Sequence, residues 1–304
     1  MWRQLLQQIK DGDTKALARC ISFVENEQDG YADLLQSLSF PVSTKIIGIT
    51  GPPGAGKSTL VDALISRITS DDKKVAVLCV DPSSPFNLGA LLGDRIRMSS
   101  WYTHPQVFIR SLATRGSMGG LNPKIIEIAD VLKAASFDYI IVETVGVGQS
   151  EIEIAGLADT TVVVLVPEAG DEVQTMKAGL MEIADIFVVN KSDRPDADAF
   201  VKNLRLMLAP AFHKDKPEIP IVKTIGNTGE GVNELFSAIR HHQQENIQNE
   251  RKSWLLAEQA YQLLQKHRMK NVNKVQLQQQ IQNLLQQGEP FNLYEFVDRH
   301  SSSL

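Results

Sequence analysis

Thiol chemistry is nearly absent from this chain. Its 304 residues hold two cysteines, Cys20 and Cys79, which is too few for a disulfide framework, and no Cys-x-x-Cys spacing occurs. Cys79 lies inside the apolar run "KVAVLCV", where a small buried core residue in a reducing compartment is expected. Long hydrophobic runs are missing too. Nothing approaches the ~18 consecutive apolar residues of a membrane helix, so no membrane partner is expected. The opening "MWRQLLQQIKDGDTKALARC" has neither a signal-peptide core nor the acid-poor character of a transit peptide, which points to the cytoplasm. Positive charge is not in excess either. With 31 Lys and Arg against 36 Asp and Glu, the net charge of -5 disfavours a nucleic-acid partner. The six histidines are scattered except for the adjacent His241 and His242, whose side chains diverge on a helix and are expected to be solvated.

What is present has a clear order. Residues 1 to 40 place Leu5, Ile9, Leu17, Ile21, Val24, Leu34, Leu35 and Leu38 at helical spacing, as two or three short amphipathic helices would. From Lys45 the texture changes to short apolar runs: "KIIGIT", "KVAVLCV", "VFIRSL", "DYIIVET", "TTVVVLV", "IFVVNK" and "IPIVKTI". Helix-like stretches fill most of the gaps. Strands that are apolar throughout, without alternation, belong to a mainly parallel sheet covered on both faces. After "GEGVNELFSAIRHH" the strands stop and a Gln-rich helical stretch follows. Trp254, Ala257, Tyr261 and Leu264 form one stripe there; Val275, Leu277, Ile281, Leu284 and Leu285 form another, with "KHRMKNVNK" as the turn of a helical hairpin.

The segment "IIGITGPPGAGKSTLVDALI" carries G-x-x-x-x-G-K-S between a strand and an amphipathic helix. That is the P-loop pattern, over Gly51, Pro52, Pro53, Gly54, Ala55, Gly56, Lys57, Ser58 and Thr59. Its glycines let backbone N–H groups converge on phosphate, Lys57 neutralises β/γ charge, and the Ser58 hydroxyl can ligate Mg²⁺. The base is chosen elsewhere. "IFVVNKSD" supplies N-K-x-D at Asn190, Lys191 and Asp193, and a carboxylate there accepts from the N1–H and 2-amino group of guanine, which adenine lacks. The expected ligand is therefore GTP or GDP. Thr224 and Ile225, in "KTIGNTGEG", stand where a second base-contacting loop belongs, without the usual Ser-Ala. Asp81 and Glu143 end strands, where carboxylates face the ligand crevice and can hold Mg²⁺. Asp94, in "LLGDRIRM", is either a third metal acid or a loop charge paired with Arg95 or Arg97.

With "VDPSSPFNLGALLGDRIRM", "RSLATRGSMGGLNP", "IVETVGVGQSE" and "PEAGDEVQTMKAG" also in order, the chain resembles the ArgK/MeaB family of P-loop GTPases, the G-protein metallochaperones. The expected fold is α/β: a P-loop NTPase G domain with a mainly parallel seven-stranded sheet flanked by helices, plus helical extensions at both ends. The expected boundaries are 1–42 for the N-terminal extension, 43–242 for the GTPase domain and 243–304 for a C-terminal arm. The resemblance implies a homodimer through that arm, although helices that merely cap the sheet remain an alternative. It implies an adenosylcobalamin-dependent acyl-CoA mutase as partner, most of all methylmalonyl-CoA mutase, with GTP gating cofactor loading and protecting the mutase. It also places Asp81, Asp94 and Glu143 around the metal, and makes Glu143 to Glu151 a switch. Lys177, in a further partner-facing switch, and Arg115, in the "TRGSMGG" loop, are left without a fixed role.

Inside "YIIVETVGVGQSE", Glu143 keeps a carboxylate where GTPases usually carry Asp, and Gly146 keeps the amide that senses a γ-phosphate. Val147 cannot orient an attacking water. Slow intrinsic hydrolysis is expected, with Gln149 as a candidate for the water-orienting group. Two other functions compete. A P-loop ATPase or kinase acting on a transport or metabolic protein is opposed by Asn190 and Asp193. A nickel-insertion GTPase is opposed by the absence of His or Cys clusters.

Overall fold

The computed structural model describes residues 2–40, 43–81, 98–114, 121–144, 150–169, 178–208 and 218–245, then 257, 260–265, 267–269, 272–287 and 291–301. The chain divides into two compact units, Met1–Ile247 and Gln248–Leu304. Among the described residues, no helix is long and apolar enough to cross a membrane.

The first unit is built on one sheet. Its strands are β1 (Lys45–Thr50), β2 (Val75–Asp81), β3 (Val107–Ala113), β4 (Tyr139–Glu143), β5 (Thr160–Leu165), β6 (Ile186–Asn190) and β7 (Ile221–Thr224). They lie in the order β3-β2-β4-β1-β5-β6-β7, and every neighbouring pair is parallel. The seven apolar runs of the sequence are these seven strands. Both faces are covered, as non-alternating strands require. Ile46, Leu78, Phe108, Ile140 and Val142 share a core with helices Thr14–Glu25 and Ile125–Ala134. On the opposite face Ile47, Ile49, Val77, Ile141 and Val162 pack against Lys57–Ser70 and Val232–Glu245. Because the chain leaves β1 and returns on both sides of it, β1 sits at a switch in strand order. The crevice above its C-terminal end is where α/β sheets hold ligands.

Three helices precede the sheet: α1 (Trp2–Lys10), α2 (Thr14–Glu25) and α3 (Tyr31–Gln36). The Asp13 carboxylate starts α2 by accepting from the backbone N–H of Lys15 and Ala16 at 2.8 and 3.0 Å. The Ala16 hydrogen bond is the main reason its carboxyl is held below the usual range. Leu5, Ile9, Leu17, Ile21, Val24 and Leu34 are buried as expected, but Leu35 and Leu38 are only half-buried. The cause is length: α3 stops at Gln36, so Leu38 leaves the helical face that buries Leu34.

His242 departs from its expected solvated position. Its Nδ1 lies 2.9 Å from Thr160 Oγ1 and its Nε2 lies 3.5 Å from Asp185 Oδ1, so the ring is tucked against the starts of β5 and β6. His241 is exposed.

The second unit is helical. Lys274–Gln286 is capped by Asn273, whose side chain accepts from Val275 and Gln276 N–H groups. Leu293–Ser301 follows, and His300 Nε2 lies 3.0 Å from Gln280 Oε1, joining the two helices. None of the described residues here is buried. Of the expected second stripe, Leu277, Ile281 and Leu284 are half-buried, while Val275 and Leu285 are 60% and 56% exposed. One pair of helices offers too little opposing surface to cover both. Trp254 of the first expected stripe lies outside the described residues, and Tyr261 and Leu264 are exposed.

Candidate nucleotide and metal site

The loop between β1 and the helix Lys57–Ser70 is shaped by two glycine requirements. Gly51 has φ +135°, and a Cβ there would stand 2.1 Å from the Val164 carbonyl oxygen, so any side chain would collide with the backbone of β5. Gly56 has φ +84°, and a Cβ there would meet Asn190 Nδ2 at 2.5 Å. The loop is thereby pressed against β5 on one side and the end of β6 on the other. Lys57, only 7% exposed, folds back over it and donates from Nζ to the carbonyls of Gly51 and Pro52 at 2.8 and 3.0 Å. Pro53 and Gly54 form its exposed crest.

Beside the loop stand two oxygen-bearing side chains. Ser58 Oγ donates to Glu143 Oε1 at 2.7 Å, and Glu143 is 5% exposed at the end of β4. That strand end is fixed by its successor. Thr144 N–H donates to the Ile49 carbonyl, and Thr144 Oγ1 donates to Thr50 Oγ1 at 2.9 Å, tying β4 to β1. From this fixed strand end the Glu143 carboxylate reaches the Ser58 hydroxyl. Asp81 ends the neighbouring strand β2, two residues beyond the Cys79–Glu143 pairing. The Ser58 hydroxyl and the Glu143 carboxylate are hard oxygen donors, of the kind that suits Mg²⁺. Asp94, Gly146, Gln149, Arg115 and Lys177 lie outside the described residues.

The base end is a closed hydrogen-bond network. Asn190 Nδ2 donates to the Ala55 carbonyl at 2.9 Å, while its Oδ1 accepts from Thr224 Oγ1 and Gly226 N–H, both at 3.1 Å. Lys191, with φ +56°, donates from Nζ to the Gly54 carbonyl at 2.7 Å. Asn190 and Lys191 thus join the phosphate loop to the base loop, and Asp193 stands exposed one step beyond them. Thr224 is fully buried with its hydroxyl committed to Asn190, and Ile225 N–H closes its own loop on Glu230 O at 3.0 Å. The Gly226 amide was not singled out from sequence, where a lone glycine after a strand carries little signal. Also missed was the ion pair of Arg194 with Glu168, whose carboxyl the arginine holds well below its ordinary range. Opposite charges just beyond two strands could have flagged it.

The family profile described as methylmalonyl-CoA mutase-associated GTPase MeaB matches residues 17–281. The chain belongs to the MeaB family of GTPases. Members of this family are P-loop enzymes that bind guanine nucleotide, and this chain is a GTPase. A Pyrococcus horikoshii protein assigned as a GTPase is 50% identical over 246 residues, 79% of this chain and 77% of its own. The fused isobutyryl-CoA mutase of Geobacillus kaustophilus is 37% identical over 250 residues, which are 77% of this MeaB-family chain and 23% of the fused protein. Among solved structures, a LAO/AO transport system kinase superposes with a TM-score of 0.68 at 25% identity, covering 99% of this chain and 96% of that one.

Proposed function

We infer that this GTPase serves as a chaperone for an adenosylcobalamin-dependent acyl-CoA mutase, binding it in one nucleotide state and gating cofactor loading or protection. One observation carries this reading: a relative holds a region similar to this chain within a single polypeptide named for isobutyryl-CoA mutase. Fusion makes sense where two proteins must meet at high effective concentration. Methylmalonyl-CoA mutase is the first client to try, since the family takes its description from it.

In this reading Lys57 Nζ leaves the Gly51 and Pro52 carbonyls for the β/γ-phosphates, so the buried ammonium exchanges two neutral acceptors for anionic ones. Ser58, Asp81 and Glu143 hold Mg²⁺, with Asp94 joining them. When bound, the ion neutralises charge that builds on the phosphates. Asp193 accepts from the guanine N1–H and 2-amino group, while Asn190 keeps the phosphate and base loops in register. Gly146 senses the γ-phosphate, and Gln149 or a group from the client orients the water. The GTPase domain runs over 43–242, and residues 243–304 form the arm of a homodimer.

The test is co-purification of the tagged protein with untagged methylmalonyl-CoA mutase, once with a non-hydrolysable GTP analogue and once with GDP. Association that changes with the nucleotide is expected. No association in either state, with this mutase or with isobutyryl-CoA mutase, would remove the chaperone reading and leave the GTPase without a client. An ATP-driven kinase, suggested by the name of the transport-system relative, predicts instead that excess ATP displaces bound GDP.

A further inference from the structure

The nucleotide crevice uses the C-terminal ends of the strands, yet a separate cavity of about 470 Å³ opens between α1, α2 and the edge strand β3. It lies on the face of the sheet opposite the P-loop helix, because α2 and Phe108 belong to one core and Lys57–Ser70 to the other. The volume is within the usual range for small-molecule sites. Its apolar part is Leu5, Ala18 and Phe23, and its cationic part is Arg19 and Arg110. Among the described residues that line it none is acidic, and Glu25 stands behind Arg110.

Arg110 is the unusual residue. It stands in the middle of a strand, paired with Leu78, where Phe108 and Leu112 on either side of it enter the core. Its Nη2 donates to Ser22 Oγ at 3.0 Å and meets Glu25 Oε2 at 3.3 Å, which ties β3 to α2. That accounts for one nitrogen of a guanidinium with five N–H donors. Its Nε is buried with no acceptor. A structural tie alone does not require such a group, since apolar residues of similar volume usually stabilise an interior position as well as an ion pair does. That Nε is closed to any ligand, so what Arg110 offers the cavity is the exposed quarter of its side chain, a cationic surface on a concave wall.

We propose that this cavity binds a small amphipathic organic anion, its head group paired with the Arg110 and Arg19 guanidiniums and its short apolar stem laid on Leu5, Ala18 and Phe23. A planar fork matches carboxylate or phosphate oxygens, which fixes the head group as one of these two. Glu25 already balances part of the Arg110 charge, so the exposed Arg19 supplies the net attraction.

The experiment is calorimetry on the full chain saturated with GDP, so that the P-loop is closed to added anions. Hexanoate, hexyl phosphate and the neutral hexanamide are titrated separately. At least one of the two anions binds, about tenfold or more tighter than hexanamide, and whichever anion binds identifies the head group. Arg110→Lys keeps the charge but loses the fork and weakens binding about tenfold. Arg19→Gln, at an exposed position that leaves the fold and GDP affinity intact, weakens it several-fold. Equal binding of hexanamide, no heat from either anion, or binding unchanged in Arg19→Gln overturns the proposal, even if Arg110→Lys fails to fold.

Discussion

The two units of the chain spend their apolar residues in opposite ways. In Met1–Ile247 the strands β4, β5 and β6 are almost wholly buried, and helices close both faces of the sheet. In Gln248–Leu304 none of the described residues is buried, and Tyr294, Val275, Val297 and Leu285 are 84%, 60%, 54% and 56% exposed. A core of the first kind stabilises itself. A surface of the second kind gains stability only from something laid against it. The difference separates what is needed for nucleotide chemistry from what is available for assembly, and substitutions can test that separation.

The largest effect is expected at Lys57. Replacing it with Ala removes the ammonium that, among the described residues, is buried against the Gly51 and Pro52 carbonyls of this loop. A transition-state charge contact of this kind contributes about 3–4 kcal/mol or more, so hydrolysis should fall by at least ~10²–10³-fold. Single-turnover phosphate release measures it, and a loss below tenfold would exclude Lys57 from the transition state. The wild-type protein alone should itself turn over at about 10⁻³ s⁻¹, rising by up to ~10⁵-fold when a partner completes the site. Rapid hydrolysis by the isolated chain would contradict the reading of Val147.

Next comes the base end. If Asp193 is the guanine acceptor proposed above, Asp193→Asn replaces an acceptor of two hydrogen bonds with an amide that can offer guanine only one. A site built around donors of its ligand discriminates strongly when that pairing fails, so GTP affinity should drop by about 10²-fold or more. Asn190→Ala acts differently, because the lost side chain holds Ala55, Thr224 and Gly226 together. It should lower affinity for GTP and GDP alike, together with thermal stability. Competition with a fluorescent guanine nucleotide separates the two: Asp193→Asn without a stability change, Asn190→Ala with one.

How much of this was visible in the letters depends on whether a residue's partners are local. Lys57 and Ser58 follow strand β1 within a short motif, and seven apolar runs announce seven strands, so loop and sheet could be read directly. Long-range partnerships could not. The contact of Ser58 with Glu143 spans 85 positions, and that of Asn190 with Ala55 spans 135, so no periodicity links them. The order of strands was equally hidden, because each run is compatible with several neighbours. His242 was misread for a related reason: helical position alone cannot reveal that Thr160 and Asp185 lie beside it. Leu38 shows the limit of spacing, since it keeps the helical period after the helix has ended.

The smaller effects test the C-terminal unit. If its exposed apolar side chains are the surface of a homodimer, the pair Val275→Ser and Val297→Ser should shift the mass in solution from dimer to monomer. GDP affinity should stay within about twofold, since both changes fall at exposed positions of Gln248–Leu304 and every nucleotide contact proposed for this chain lies in Met1–Ile247. A dimer that survives both changes would place the interface elsewhere.

Cysteine labelling sharpens the contrast with the least perturbation. Cys20 and Cys79 are buried, and burial pushes the Cys20 thiol up to about 12 from an ordinary value of 9.0. The neutral thiol is thus favoured in the folded chain. Its contribution to stability is fully present below pH 9.0 and is lost as the pH rises from there toward about 12. At neutral pH both native thiols should react with a maleimide only as fast as the protein opens, and prompt labelling would show that the core around α2 is not closed. A cysteine introduced by Val297→Cys starts from the other extreme. If the proposed homodimer covers that face, this cysteine should react at once at low protein concentration and become protected as concentration rises. Equal labelling at every concentration would show that the exposed helix pair remains open and that dimerisation, if it occurs, uses another surface.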